Sequence, residues 1–374
     1  MQDTAAAQEE PKSELILPKN LPLFYIWKEL RNKLFCIIFC LPLFAFGQKK
    51  REVHFGLPNP KRDTMPYTLF KDRWIFYADL GYASAPFSIK YTFNESIDKL
   101  KFLNNFRTIL GVGVSYKWFA LRLGVPLPGN VRPPSKFGKT IPFNLGFDFT
   151  VKKTFCDVDF RNYQGYVIKD AKNYKETLTN LKPNEIRGNT NATSFSANVW
   201  YFHDKYFKMS ALRGKTGHYD REVKTWYVKT SLNIFGINNG NSSIVPQELL
   251  DSTNSKVASS TLSSVDIGVI PGYAYVNKIN NWQFSVIAGF GGAIQSKFYA
   301  SEGTTRGFLG LSPRIDFRFI GGYTVPRYFV FIVTDFDNKS IRFNEFVYRQ
   351  SFYSVKIVGG IRLDPKEKKS KNKL

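Results

Sequence analysis

Along most of the chain, apolar and polar residues alternate one for one instead of recurring every three or four positions. In residues 107–124, RTILGVGVSYKWFALRLG, Leu110, Val112, Val114 and Tyr116 share one face while Ile109, Gly111, Gly113 and Ser115 share the other, which is the period of a β-strand. Past Tyr116 and Lys117 the pattern resumes, with Phe119, Leu121 and Leu123 set against Trp118, Ala120 and Arg122, so the stretch reads as a hairpin. Residues 141–152 repeat it, with Phe143, Leu145, Phe147, Phe149 and Val151 opposite Asn144, Gly146, Asp148, Thr150 and Lys152. In residues 311–319, Leu311, Ile315, Phe317 and Phe319 back onto Ser312, Arg314, Asp316 and Arg318. An apolar face backed by polar and charged residues, over segments of about ten residues, is the pattern of a barrel with lipid outside and a polar lumen inside.

Thirteen segments carry this pattern: 74–82, 107–116, 118–124, 141–152, 155–161, 193–202, 205–213, 226–234, 265–276, 282–295, 311–319, 328–335 and 351–363. Single-chain bacterial barrels have even strand numbers. The expected fold is therefore all-β, an antiparallel transmembrane β-barrel of about 12 strands, with 10 to 14 open, and the miscount is expected near residues 87–93 or 236–263. Residues 125–140 hold four prolines and read as a loop. The polar residues 162–190 read as an outward-facing loop, and the Asn- and Ser-rich residues 236–263 as structureless. Gly289 and Gly291 fall on an inward face, where glycine lets strands bend or a neighbour approach.

Composition narrows the reading. Aromatic residues make up 16% of the chain, enough for interfacial girdles, while a mean hydropathy of −0.26 excludes a helical membrane bundle. An aromatic-rich soluble β-sandwich is the competing architecture. Arg31 and Lys33 precede the apolar residues 34–46, and Ala45 and Gly47 supply small residues at −3 and −1 before Gln48, the layout of a secretory signal peptide. The chain thus divides into a signal peptide with an unusual N-terminal extension (1–47), a periplasmic lead-in (48–72), the barrel (73–363) and a basic tail (364–374). Cys36 and Cys40 leave with the signal, so the mature chain keeps only Cys156 and forms no internal disulfide. The excised part is charge-neutral, so the whole +23 stays with the mature protein. Behind a signal peptide that charge points away from nucleic acid and toward outer-membrane lipid headgroups, acidic glycolipid or an anionic lumen content.

A resemblance accompanies these residues. The Tyr116-Lys117-Trp118 turn after a Gly-x-Gly strand, the strand holding Pro271-Gly272-Tyr273-Ala274-Tyr275 and the glycine-rich strand that follows resemble the family called domain of unknown function 4421. The resemblance spans residues 74–363. It implies an outer-membrane β-barrel of a Gram-negative bacterium, with no assigned activity and no functional residues to carry over. The basic tail departs from barrels that end on an aromatic residue.

Candidate chemistry is sparse. The chain has three histidines, His54, His203 and His218. His218-Tyr219-Asp220, with Ser210 or Ser231, would be the material for a lipid-modifying enzyme at the barrel rim, although a polar loop tip accounts for it more simply. Two Gly-Lys-Thr triplets lack the leading glycine of a phosphate loop. No catalytic set, metal site or cofactor is expected. The candidate lumen lining is Arg122, Asp148, Lys152, Lys208, Lys229, Asp266, Arg314, Asp316, Arg318, Lys356 and Arg362. These eight bases and three acids either cross-brace a filled lumen or line a narrow, anion-preferring pore. The expected role is that of a non-enzymatic structural or assembly subunit, with other outer-membrane proteins as partners and the long segments 162–190 and 236–263 available to them. Export should leave a mature chain starting at Gln48, which terminal-peptide mass analysis of the membrane fraction checks; retention of residues 34–46 would make the segment an anchor.

Overall fold

The computed structural model describes residues 65–364 except 94, 96, 130–131, 152–153, 170–184, 205 and 252. The signal peptide, most of the lead-in and nearly all of the tail lie outside the described residues. From the N-terminal side the strands are β1 (Tyr67–Leu69), β2 (Trp74–Ser84), β3 (Phe87–Lys90), β4 (Lys99–Leu103), β5 (Arg107–Tyr116) and β6 (Phe119–Pro126). A helical turn α1 (Pro134–Phe137) precedes β7 (Ile141–Val151), β8 (Thr154–Ile168) and β9 (Ile186–Phe202). Then come α2 (Met209–Leu212), β10 (Gly217–Tyr219), β11 (Val223–Asn238), β12 (Thr261–Ile279), β13 (Trp282–Ser301), β14 (Thr304–Thr324), β15 (Tyr328–Phe343) and β16 (Phe346–Leu363).

Twelve of these, β2, β5 to β9 and β11 to β16, form one antiparallel ring. It closes where β16 pairs with β2, from Leu363↔Trp74 to Tyr353↔Ser84. Closure leaves no sheet edge along that junction, so the backbone pairs within the sheet, as hydrocarbon surroundings demand. The alternation read from sequence sets which way each strand faces. Phe76, Leu80, Val112, Leu121, Leu145, Phe290, Phe317, Ile332 and Ile357 are exposed on the outside, whereas Asp79, Lys229, Asp266, Arg314 and Arg362 are buried inside. One rim carries the tight turns between β5 and β6, β7 and β8, β12 and β13, and β14 and β15. Its outer surface holds an aromatic girdle: Trp74 stacks on Tyr116 at 4.4 Å, His203 on Trp226 at 4.6 Å, and Trp282 meets Tyr323 edge-on at 5.7 Å. Four of the five ring connections on this rim are two or three residues long, against two of six on the opposite rim, which by the rule of short periplasmic turns makes this the periplasmic side.

The surplus strand of the sequence reading is 205–213, not 87–93 or 236–263. β9 passes directly to β11, with Phe202 opposite Tyr227, so residues 203–222 are an insertion at the periplasmic rim. The alternating Phe207, Met209 and Ala211 resemble a strand only by spacing; they bury, with Leu212, the inner side of the short helix α2. This insertion folds into the barrel mouth, where β10 pairs with β1. Two other segments are also more ordered than expected. β8 runs to Ile168 and β9 starts at Ile186, so both ends of the polar stretch 162–190 are strand, with Tyr163, Tyr166 and Ile168 buried. Residues 239–260 pack Ile244, Val245, Leu249 and Val257 into the lumen rather than lying structureless.

Two apolar cores result. At the long-connection end, the β3–β4 hairpin crosses the mouth, pairing β16 on one side and β8 on the other, and packs Phe87, Ile89, Leu100 and Phe102 onto Phe235, Tyr299, Tyr348 and Phe352. At the periplasmic end, Phe207, Met209, Leu212 and Tyr219 of the insertion pack on Ile75, Tyr77, Trp200, Tyr227, Phe329 and Phe331. Tyr227 lies flat against glycine backbone: a Cβ on Gly272 would stand 2.3 Å from its ring. Gly272→Val should therefore overpack the wall by about 1–3 kcal/mol and reduce the compact fast-migrating form in unheated gels, with Gly272→Val/Tyr227→Ala recovering part of it; full retention of that form in the single variant would contradict this packing.

Candidate functional site: the charged layer of the lumen

Between the two apolar cores lies a layer in which charged side chains of nine strands and of the periplasmic insertion meet. Burying charges in a barrel is tolerable only if they are paired and hydrogen-bonded, and the pairing is extensive. Arg122 of β6 holds Asp79 of β2 in a two-pronged contact, Nε to Oδ2 at 2.6 Å and Nη2 to Oδ1 at 2.5 Å. Asp148 of β7 pairs at 2.6 Å with Arg213, which the insertion delivers from below. Lys229 reaches Asp316 at 3.3 Å while lying over the Trp200 ring at 4.7 Å. Arg314 pairs with Asp266, to which Asn233 also donates at 2.9 Å. Arg318 and Lys356 share Asp335, Lys356 at 3.5 Å.

Aspartates and bases outside the sequence-derived set complete the layer. Asp157 accepts from Asn198 at 2.8 Å and from the Trp200 indole. Arg161 and Asp159 stand 3.6 Å apart, and Lys339 donates to Ser194 and Ser196 at 2.5 and 2.7 Å and faces Asp337 at 3.6 Å. Several of these were readable in principle, since Asp157, Asp159 and Arg161 alternate on a segment already recognised as strand, and Asp79 shares parity with Ile75 and Tyr77. Arg213 and Lys215 were not, because they arrive on an insertion whose position depends on tertiary packing.

Of the eleven sequence-derived residues, eight sit in this layer: Arg122, Asp148, Lys229, Asp266, Arg314, Asp316, Arg318 and Lys356. Lys152 lies outside the described residues. Lys208 stands on the insertion, just before α2, and not on a barrel strand. Arg362 has another task. Its guanidinium donates to Gly214 O at 2.6 Å, Lys215 O at 2.8 Å and Thr324 Oγ1 at 3.1 Å, between the rings of Phe70 and Phe329; it pins the insertion to the wall. Gln283 helps, donating to Ala211 O and Leu212 O at 3.1 and 3.0 Å and accepting from Tyr219 N at 2.9 Å.

The open space left is small. A cavity of about 120 Å³ lies among Asp79, Arg122, Asp148, Arg213, Lys215, Asp335 and Lys356, and another of about 30 Å³ among Asp157, Lys229, Arg314, Asp316 and Asp337. The two cavities together are lined by eight bases and seven aspartates, so the excess of five positive charges expected from sequence shrinks to one. His218 lies outside this layer, on β10. It meets Asp220 at 3.0 Å through Nε2 and packs edge-on against Phe70, while its buried Nδ1 has no hydrogen-bond partner. Burial and the nearby Lys278 push its pKa down to about 4 against the pull of Asp220. No serine hydroxyl hydrogen-bonds this imidazole among the described residues, so Ser210 and Ser231 do not join it in a triad. Among the described residues no group of three or more His, Cys, Asp or Glu side chains could hold a metal ion.

A family model described as Domain of unknown function (DUF4421) matches residues 61–362. No curated protein sequence matches. Among solved structures, similar folds include the outer membrane protease OmpT from Escherichia coli, with 7% identity, TM-score 0.35 and coverage of 79% of this chain and 98% of that one. The COG4313 outer membrane channel from Pseudomonas putida F1 aligns at 10% identity and TM-score 0.33, over 83% and 100%. The translocator domain of autotransporter NalP from Neisseria meningitidis aligns at 8% and 0.37, over 78% and 89%. The closed ring, its outward apolar band and its girdle make the chain an outer-membrane β-barrel protein.

Removing one member of a buried charge set leaves the others uncompensated, at a cost of about 3–5 kcal/mol. Asp335→Asn strands Arg318 and Lys356 together and should lower unfolding stability in urea by that order; a change below about 1 kcal/mol would mean that water in the cavity already compensates those bases.

Proposed function

This chain belongs to the domain of unknown function 4421 family, and we propose that it acts as a non-enzymatic, non-conducting structural or assembly subunit of the outer membrane. The observation that carries this reading is the filling of the lumen. A through-path would have to cross two apolar cores and a layer of paired charges whose cavities hold only about 120 and 30 Å³. Dry, packed ends favour a rod-like wall element over a conduit. What remains for partners is the outside of the barrel and its rims.

A gated pore is the second reading, favoured by one observation. Besides its apolar core, the periplasmic insertion is held to the wall by hydrogen bonds from Arg362, Gln283 and Ser285, polar contacts that a partner could exchange. With the lining near charge balance, such a pore would select weakly between anions and cations. Planar-bilayer recording separates the two: the unmodified protein should show no stable conductance, and Arg362→Ala/Gln283→Ala should produce it by freeing the insertion. Steady conductance from the unmodified protein would refute the structural reading.

A further inference from the structure

The pairing of charges in the lumen leaves one cation over. Six bases and five aspartates line the larger cavity. Arg122 is taken by Asp79, Arg161 by Asp159, Arg213 by Asp148, and Arg318 and Lys356 share Asp335. The fifth aspartate, Asp157, is held by Asn198 and Trp200. Lys215 is the sixth base, and among the described residues its ammonium has neither an ion pair nor a hydrogen bond.

The position of that ammonium is built into the fold. Between Arg213 and Lys215, Gly214 has a φ of 72°, a conformation that favours glycine, and a Cβ there would stand 2.2 Å from the Phe331 ring. The chain therefore turns tightly against the wall. Arg362 grips the main chain of this turn at Gly214 O and Lys215 O, and the Lys215 side chain reaches the cavity over the Tyr77 ring, 3.9 Å from its centre. Tyr77 is anchored in turn through its hydroxyl, which donates to Leu121 O at 3.3 Å. The ring face attracts the cation but brings no formal negative charge. Arg213 and Lys356, on the same cavity, each carry more N–H groups than the contact to their aspartate uses.

We propose that this cavity holds one small monovalent anion, which pairs with Lys215 and, through Arg213 and Lys356, locks the periplasmic insertion to the wall. A buried charge without a partner is costly, and charge-assisted donors aimed into one space call for an acceptor. The charge count sets the valence, since six bases against five aspartates leave a single positive charge. The size sets the class. About 120 Å³ admits a halide or nitrate with a few waters, at about 30 Å³ of liquid for each water, and a place between two apolar cores shuts out a lipid headgroup or a sugar. Water alone would hydrate the ammonium without balancing it. The proposal goes beyond the structural reading and holds whether or not the barrel conducts.

Urea unfolding of the full chain in detergent tests it, with bromide as the probe and sodium gluconate, whose anion is too large for the cavity, as the reference salt at fixed ionic strength. Bromide should raise the urea midpoint at which the fast-migrating form disappears from unheated gels, and the rise should saturate, because an anion bound only by the folded barrel stabilises it by mass action. Lys215→Met should abolish the saturable rise and Lys215→Arg should keep it. Anomalous diffraction from crystals of the unmodified protein grown in bromide should place the ion beside Lys215 Nζ, a readout that needs no variant to fold. A saturable rise that survives Lys215→Met, or crystals with no bromide in the cavity, would overturn the proposal. So would bromide in the crystal without a saturable rise in solution, which means binding at crystal concentration only. A larger rise with sulfate than with bromide would overturn the assigned valence.

Discussion

In hydrocarbon no water is at hand to satisfy a backbone N–H or C=O, and each one left bare costs several kcal/mol. That constraint stands behind most of what this chain does. It requires the sheet to close on itself, which it does by pairing Leu363 with Trp74. It also makes the inside and outside of every strand alternate without interruption, since a slip of one residue in β7 would carry Asp148 into lipid. Where the β14–β15 ladder ends, just short of Pro313, side chains of Gln295, Ser312 and Arg314 are recruited to the orphaned carbonyls.

Closure creates a second problem, because a ring of twelve strands encloses more volume than inward side chains fill unaided. The chain resolves it by folding its own connections inward. The periplasmic insertion and the β3–β4 hairpin each bring an apolar core to one mouth, and the space between is occupied by charges that neutralise one another across the lumen. Arg122 and Asp79 bridge two strands on either side of β5, and Lys339 of β15 reaches Ser194 and Ser196 of β9 on the far side of the ring, so these contacts brace the interior beyond the ladders between neighbours. Buried pairs of this kind are weak sources of net stability but strict ones of geometry, since mispairing leaves bare charge.

The wall was open to reading from the sequence because its rule is local. A period of two, seen in Phe143 to Val151, states both strand and orientation, and evenness brought thirteen candidates to the twelve observed. The filling was not, because it is decided at a distance. Phe207, Met209 and Ala211 carry the spacing of a strand, and only the direct pairing of Phe202 with Tyr227 shows that no strand can lie between them. The electrostatic balance was illegible for a related reason: Asp79, Asp157 and Asp337 meet the bases only when the ring closes, and Arg213 reaches Asp148 from outside the wall, so the balance of the lumen depends on contacts between distant parts of the chain.

The hairpin across the upper mouth ties the order of assembly to the last strand of the ring. β3 pairs with β16, and β4 with β8, so a lid encoded near the start of the barrel cannot seat until its final strand is in place. The same strand, β16, also completes the ring against β2. Sealing the wall and covering the lumen are therefore one late event that joins the ends of the domain, with a long loop-closure entropy to overcome before either contact forms. Until then the aspartates and bases of the interior stay open to water, which lets them exchange partners at low cost before they are shut in.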